Sequence, residues 1–309
     1  METNPLELGI ADFLAEKHRH ASPATEEQYD FILRDVFLPW CQAEGIIDPA
    51  QVTDKAMDRF TDKLRERRFR GHPLSVHTIR TYLRHTRMFL NACGVGKGRF
   101  KQPKAPERLI EVITPVEMTA MERVATDERD LTIIRLLYDT GIRAGELLGL
   151  RVADLVETKK GQWIRVIGKG DKQRLVPVPP KTFALLKHYA AAAPLMRFGL
   201  EGGMLPTTEQ FESGYIFLAK RSRFGSGTRL TISGLEQVIR HLAKRAGIKR
   251  RIWVHLLRHT AATRMYNAGM PAITLAKILG HTDLTMIMRT YAHVAADDTY
   301  AAMMRTLTA

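Results

Sequence analysis

Cysteine is almost missing: Cys41 and Cys93 are the only two in 309 residues. Stability from a disulfide framework is thereby excluded, and a reducing compartment fits. No apolar run approaches the ~20 residues needed to cross a bilayer, and the opening METNPLELGIADF is acidic and has no apolar signal core. A cytoplasmic protein with no membrane partner is expected. No internal repeat or low-complexity segment occurs, and no Asp/Glu cluster offers a two-metal site. Acids are also short: 33 Asp and Glu stand against 47 Lys and Arg, a formal net charge of +14. Such an excess points to a polyanionic partner, DNA or RNA first, because it mainly governs non-specific binding and association rate.

What is present suffices for about two domains with ordinary globular cores, since 45% of the residues are hydrophobic. From Pro5 to about Asp62 acids outnumber bases, and ELGIADFLAEKH, TEEQYDFILRDVFLPWCQAEG and DKAMDRFTDKL carry helical periodicity. Thr25 and Gln28 have the spacing of a capping box. The charge then reverses, because a dozen bases from Lys63 to Lys104 face only Glu66 as a nearby acid. In SVHTIRTYLRHTRMFLNA, Ile79, Leu83 and Leu90 form an inward stripe, while Arg80, Arg84 and Arg87 follow along an adjacent one. Such a row suits a DNA backbone or groove; its bland alternative is a solvated face. Gly94, Gly96 and Gly98 followed by KQPKAPER break every periodicity and read as a linker. The expected division is a helical DNA-binding domain over 1–100, a linker over 101–113 and a second domain over 114–309.

That second domain opens on Thr114-Pro115-Val116-Glu117, a capping box with proline in the first turn, followed by helices in VEMTAMERVATD and DLTIIRLLYDTG. In TGIRAGELLGLRVADL, Arg143 lies among Gly141, Gly145 and Gly149, which allow close backbone approach. Glu146, three residues on, can hold the guanidinium in an i,i+3 pair. A surface ion pair is the alternative, and the apolar flank opposes it. QWIRVIGKGDKQRLVPVP reads as two strands around a Gly-Lys-Gly-Asp turn that displays Lys169. Lys172, Arg174 or plain solvation of the turn are the alternatives to a role for Lys169. No Ser or Thr follows this Gly-Lys pair, so it is no nucleotide-binding P-loop. The basic run LAKRSRFGSGTR, with Lys220, Arg221 and Arg223, either touches phosphates or is solvated.

The richest stretch runs from Arg251 to Val294. His255 and Arg258 stand three apart, so on a helix they share a face and both can reach one ligand. His255 and His259, four apart, have metal-pair spacing, but Leu256 stands where a zinc protease needs Glu. A helix from Pro271 is stopped by Gly280, which displays His281, and Tyr291 follows ten positions later in RTYAHV. Each histidine alone would be read as a satisfied structural residue.

Taken together, His255-Leu256-Leu257-Arg258-His259, Leu279-Gly280-His281 and Tyr291-Ala292-His293-Val294, with Arg143 in TGIRAGE and Lys169 in its hairpin, resemble the tyrosine recombinases, the phage integrase family that includes Xer-like site-specific recombinases. The resemblance implies a mainly α fold with a small antiparallel β-sheet. It implies a helical core-binding domain followed by a mixed α/β catalytic domain with a C-terminal tail helix. The implied activity is site-specific cleavage and rejoining of DNA through a 3′-phosphotyrosyl intermediate, serving integration, excision or resolution. Tyr291 is then the nucleophile, and Arg143 and Arg258 bind the scissile phosphate. Lys169 is the general acid, and His255 and His281 handle protons and phosphate oxygens. Glu146 and His259 act as supports. The implied partner is a double-stranded recombination site, bound by a homotetramer in the synaptic complex and by a monomer or dimer off DNA. Accessory directionality proteins are a further implied partner class, and the DNA-bound protein would be nucleoid-associated. Two other readings use the same residues: a type IB topoisomerase, which would relax supercoils as a monomer without a defined site, and a catalytically silent DNA-binding regulator.

No cofactor or metal is expected, because permanently charged arginines serve the phosphate and a phosphotyrosine stores the bond energy. Cleavage of a nicked duplex carrying the protein's own binding sequence should therefore persist in excess chelator. Loss of cleavage that magnesium restores would contradict this.

Overall fold

The computed structural model describes residues 4–19, 21, 23–95, 102–104, 111–168, 171–198, 214–219 and 228–280. The chain forms two compact units, Met1–Arg108 and Leu109–Ala309.

In the first unit, helix α1 (Pro5–His18) starts where Asn4 accepts from the Glu7 amide at 2.8 Å and Pro5 takes a first-turn position that lacks a donor need. Helix α2 (Pro23–Asp30) continues into a π-helical stretch, Phe31–Phe37, and then α3 (Leu38–Ala43). The wide turn has a local cause: Pro39 has no N–H for the helix ladder and crowds the carbonyl one turn back. Immediately before it, the Leu38 amide reaches five residues back to the Leu33 carbonyl. The expected capping box of Thr25 and Gln28 is not the helix start. The helix already begins at Pro23, so Thr25 stands inside its first turn. Helix α4 (Asp54–Glu66) is capped by Thr53 and α5 (Val76–Ala92) by Ser75. Between them a two-residue hairpin, β1 (Arg68–Phe69) with β2 (His72–Pro73), occupies what sequence left unassigned. Phe37, Phe60 and Phe89 are buried in this unit's core, packed edge to face in the pairs Phe37–Phe60 and Phe37–Phe89. Ile79, Leu83 and Leu90 point into it, while Arg80 and Arg84 are exposed and Arg87 is half-buried.

The second unit opens with α6 (Pro115–Val124), capped reciprocally by Thr114 and Glu117 as expected. Then come α7 (Glu128–Thr140) and the short α8 (Ala144–Gly149). The antiparallel sheet has order β3 (Leu155–Thr158), β4 (Gly161–Ile167), β5 (Gln173–Pro177). The hairpin from sequence is β4–β5, with Ile164 opposite Val176; β3 is an extra strand. It escapes sequence reading because its four residues are too few to show alternation and none of them is fully buried. Helices α9 (Pro180–Phe198), α10 (Ile232–Arg245), α11 (Val254–Asn267) and α12 (Ala272–Leu279) complete the described part. Pro271 is the cap of α12 rather than its first residue. The mainly helical architecture with small antiparallel sheets is the one expected. A single apolar cluster, including Ile133, Leu137, Ile164, Val176, Phe217, Ile239 and Leu257, joins α7, the sheet, α10 and α11.

The α6 start is bound to the segment before α11. Arg250 donates from Nε to Glu117 Oε1 at 2.8 Å and from Nη2 to Oε2 at 2.7 Å, and also from Nη2 to the Val112 carbonyl at 2.7 Å. Arg250's fork, reinforced by Thr114, holds the Glu117 carboxyl at about 2 against the usual 4.5. A depressed carboxylate stabilises the fold above its unfolded pKa, and that contribution is lost as pH falls through the folded value. Glu117→Gln should therefore be less stable than wild type at pH 7, with the gap in urea midpoint shrinking from about pH 4.5 toward 2. A gap of constant size across that window would contradict the assignment.

Candidate active site

Helix α7 ends at Gly141 in the left-handed region, φ 65°, where a β-carbon would lie 2.9 Å from Leu279 Cδ2 and 3.1 Å from Ala261 Cβ. This turn delivers Arg143 to the N-cap of α8. Arg143 donates its amide to Glu146 Oε2 at 2.8 Å and Nη1 to Glu146 Oε1 at 2.9 Å, which is the i,i+3 pair expected from sequence. Glu146 itself is only 6% exposed. A buried carboxylate needs strong partners, and a second guanidinium supplies them from β5. Arg174 grips both oxygens, Nη1 to Oε1 at 2.7 Å and Nη2 to Oε2 at 2.9 Å, a bidentate fork that is strong and directional. Burial alone would push the Glu146 carboxyl up; the Arg174 fork and the Arg143 amide and guanidinium outweigh it and hold it below its usual range.

The arginines then converge on one place. Arg174 Nε donates to the Ile278 carbonyl at 2.8 Å, Arg258 Nη2 to the Leu279 carbonyl at 2.7 Å, and Arg143 Nη2 to the Gly280 carbonyl at 2.8 Å. Carbonyls at a helix C-terminus lack intrahelical partners and carry the negative end of the helix dipole. Three successive ones here are satisfied by three guanidiniums. Arg258 also donates Nη1 to the Gly141 carbonyl at 2.6 Å, so it ties α11 to the ends of both α7 and α12.

Three arginines and one carboxylate leave a surplus of positive charge at this point. Arg258, 6% exposed, is turned into the packing. Arg143 keeps 37% of its side chain exposed, and its Nε–H has no partner among the described residues. The cluster therefore has the charge and the open donors to receive an anion, and Arg143 is the group that presents them.

The other sequence candidates fall unevenly. His255 is exposed in the first turn of α11, and His259, one turn on, is half-buried. Burial, then the charges of His255 and Arg258, push the His259 imidazole down and favour its neutral form. Lys169, His281, Tyr291, Lys220, Arg221 and Arg223 lie outside the described residues. Two of them adjoin residues that border the cluster. A β-carbon on Gly168 would lie 3.7 Å from both Glu146 Oε1 and Arg174 Nη1, and Gly280 immediately precedes His281.

Arg174 is the residue that sequence reading undervalued, since it entered only as a substitute for Lys169. A signal existed. Arg174 alternates in register with the fully buried Val176, whereas Leu175 between them is 51% exposed. An arginine on the inward face of a strand requires a buried partner.

The close approach at Gly280 is testable. Its φ is 65°, and a β-carbon would lie 2.8 Å from Arg174 Nη1 and 3.1 Å from Arg143 Nη1. Gly280→Ala should destabilise the fold by ~1–3 kcal/mol in urea unfolding. An unchanged midpoint would contradict this packing.

Comparison with known proteins bears on the same part of the chain. Residues 114–298 match the phage integrase family. The tyrosine recombinase XerC of Oceanobacillus iheyensis is 29% identical over 315 aligned residues, covering 98% of this chain and 96% of the relative. The tyrosine recombinase XerD of Yersinia pestis is 31% identical over 201, covering 63% of this chain and 61% of the relative. Among solved structures, the XerH site-specific recombinase bound to difH substrate shares the fold with a TM-score of 0.67, 18% identity and 94% coverage of each chain. The Tn1549 transposon integrase in complex with a circular intermediate DNA does so with a TM-score of 0.71, 18% identity and coverage of 98% and 99%. The family match spans the arginine cluster and continues through the stretch that holds Tyr291, and the chain accordingly belongs to the phage integrase family, the tyrosine recombinases: it is a site-specific recombinase that breaks and rejoins DNA strands.

Proposed function

We propose that Arg143 and Arg258 seat the scissile phosphate and that Tyr291 is the nucleophile of strand cleavage. The observation that carries this reading is the convergence of both arginines on the end of α12, one residue before His281, in a site with surplus positive charge. In the first step the Tyr291 phenolic oxygen attacks phosphorus and the bond to the 5′ oxygen breaks. A 3′-phosphotyrosyl ester forms and a 5′-hydroxyl is released. His255 accepts or relays the phenolic proton, and Lys169 protonates the departing 5′ oxygen. His281 donates to a non-bridging oxygen. The guanidiniums, charged at every accessible pH, offset the charge that develops in the pentacovalent transition state. A 5′-hydroxyl from the partner strand then attacks the ester and expels tyrosine, so the phosphodiester is restored without an external energy source.

The rest of the assembly follows the same logic. Residues 1–100 act as a core-binding domain, with Arg80, Arg84 and Arg87 on the phosphate backbone, joined through 101–113 to the catalytic domain at 114–309. Lys220, Arg221 and Arg223 add phosphate contacts. Strand exchange between two sites takes place in a homotetramer in the cytoplasm, with directionality proteins as accessory partners. The resemblance implies a tail helix from Asp297 and Asp298 whose apolar stripe, Tyr300, Met303, Met304 and Leu307, docks on a neighbouring protomer, with packing onto its own domain as the alternative.

Removal of one hydroxyl distinguishes the nucleophile. On a nicked duplex carrying the sequence that the wild-type protein selects from a randomised DNA pool, Tyr291→Phe should bind normally and form no covalent adduct, while Tyr300→Phe should still form one. Arg143→Ala should cut cleavage ~10²–10³-fold and lower stability without unfolding the protein, because the Arg174 fork still pairs both Glu146 oxygens. Arg258→Ala should lose both, because its guanidinium also joins three helices. A Tyr291→Phe protein that still forms the adduct would remove the assignment.

A further inference from the structure

Arg174 lies on strand β5, and its side chain is only 15% exposed. Its fork occupies both Glu146 oxygens, and its Nε holds the Ile278 carbonyl. Glu146 Oε1 is shared: it accepts from Arg174 Nη1 at 2.7 Å and from Arg143 Nη1 at 2.9 Å. Where that oxygen sits decides where the Arg143 fork points. Apart from Arg174, the Glu146 carboxylate is held by the Arg143 amide and guanidinium, and α8 is a single short stretch, Ala144–Gly149, whose cap is Arg143 itself.

We propose that Arg174 is a positioning residue for strand cleavage: it fixes the Glu146 carboxylate that aims Arg143, and through the Ile278 carbonyl it fixes the main chain that leads to His281. Arg174 touches neither substrate nor reacting atoms in this role. The proposal rests on the reading that Arg143 binds the scissile phosphate.

The geometry explains why the residue must be arginine. One planar group with donors on three nitrogens meets a carboxylate edge with two of them and a carbonyl with the third. Lysine offers a point charge that can reach one of these acceptors well, not the set. It also explains why position 280 is glycine, since a β-carbon there would lie 2.9 Å from Arg174 Cζ. A merely structural arginine would alter stability and leave the chemistry of the folded enzyme unchanged. A positioning arginine lowers the rate of chemistry in protein that is folded and DNA-bound, since a misplacement of ~1 Å costs on the order of 100-fold in rate.

The test compares Arg174→Gln, Arg174→Lys, Glu146→Gln, the Arg174→Gln/Glu146→Gln double variant and Arg143→Ala, all in the full chain. Each is measured for thermal midpoint, for affinity to the nicked duplex selected by the wild-type protein, and for the single-turnover rate of covalent adduct formation on saturating duplex. The proposal expects Arg174→Gln to bind within about threefold of wild type and to cleave ~100-fold more slowly. Arg174→Lys should recover part of that rate. The double variant should be no slower than the slower single variant, because both substitutions break one chain of contacts. Wild-type cleavage by Arg174→Gln, losses that multiply in the double variant, or a loss confined to affinity would each overturn it. So would failure of both Arg174 variants to fold, which would make the residue structural. Arg143→Ala separates the two levels. If it cleaves normally, the phosphate-seat reading fails; if it is defective while Arg174→Gln is not, only the present inference fails.

Discussion

The buried carboxylate of Glu146 is the point on which this site depends. A charge at 6% exposure is costly unless it is fully paired, and here the pairing comes from two elements distant in sequence, the cap of α8 and strand β5. Removing one partner of such a buried pair commonly costs ~3–5 kcal/mol, because the remaining charge is left uncompensated. The interaction therefore does more than orient one arginine. It requires that α8, the hairpin and the end of α12 be in register before the carboxylate can be desolvated, so assembly of the site and assembly of the fold are one event.

The second constraint is the termination of α12. Its last carbonyls would otherwise lack intrahelical partners, and the chain satisfies them with guanidiniums. Helix-end carbonyls hold cations without neutralising them, since each contributes only partial charge. The arginines are thus fixed in place while their charge remains available to an anion. The arrangement divides the work. Arg258 is buried and joins three helices, Arg174 is largely buried and braces the carboxylate, and Arg143 alone keeps over a third of its side chain in the open.

Much of this was legible in the sequence, and the failures have physical reasons. The cap at Thr114 and Glu117, the inward stripe of α5, the β4–β5 hairpin and the Arg143–Glu146 pair are all local, set by residues within a turn or a tight loop of one another. What was not legible depends on contacts far apart in sequence. Arg258 reads from spacing as a companion of His255, yet its Nη atoms lie on the carbonyls of Gly141 and Leu279. Arg174 bonds to Glu146, 28 positions away, and to Ile278, 104 positions away. The π-helical stretch before Pro39 shows a different limit, because hydrophobic periodicity cannot tell an α-turn from a slightly wider one. Thr25 shows a third: a capping pattern two residues inside a helix already begun at Pro23 is indistinguishable by spacing alone from a real start.

The claim at the centre of this account is that the guanidiniums at the end of α12 are the seat of the phosphate that is cut. It is tested most directly by a crystal structure of the wild-type chain trapped covalently on the nicked duplex. The account predicts that nitrogens of both Arg143 and Arg258 lie within about 3 Å of the non-bridging oxygens of the phosphotyrosine, with Glu146 still bridging Arg143 and Arg174. A phosphotyrosine held elsewhere, with Arg143 still directed only at Glu146 and the Gly280 carbonyl, would contradict it.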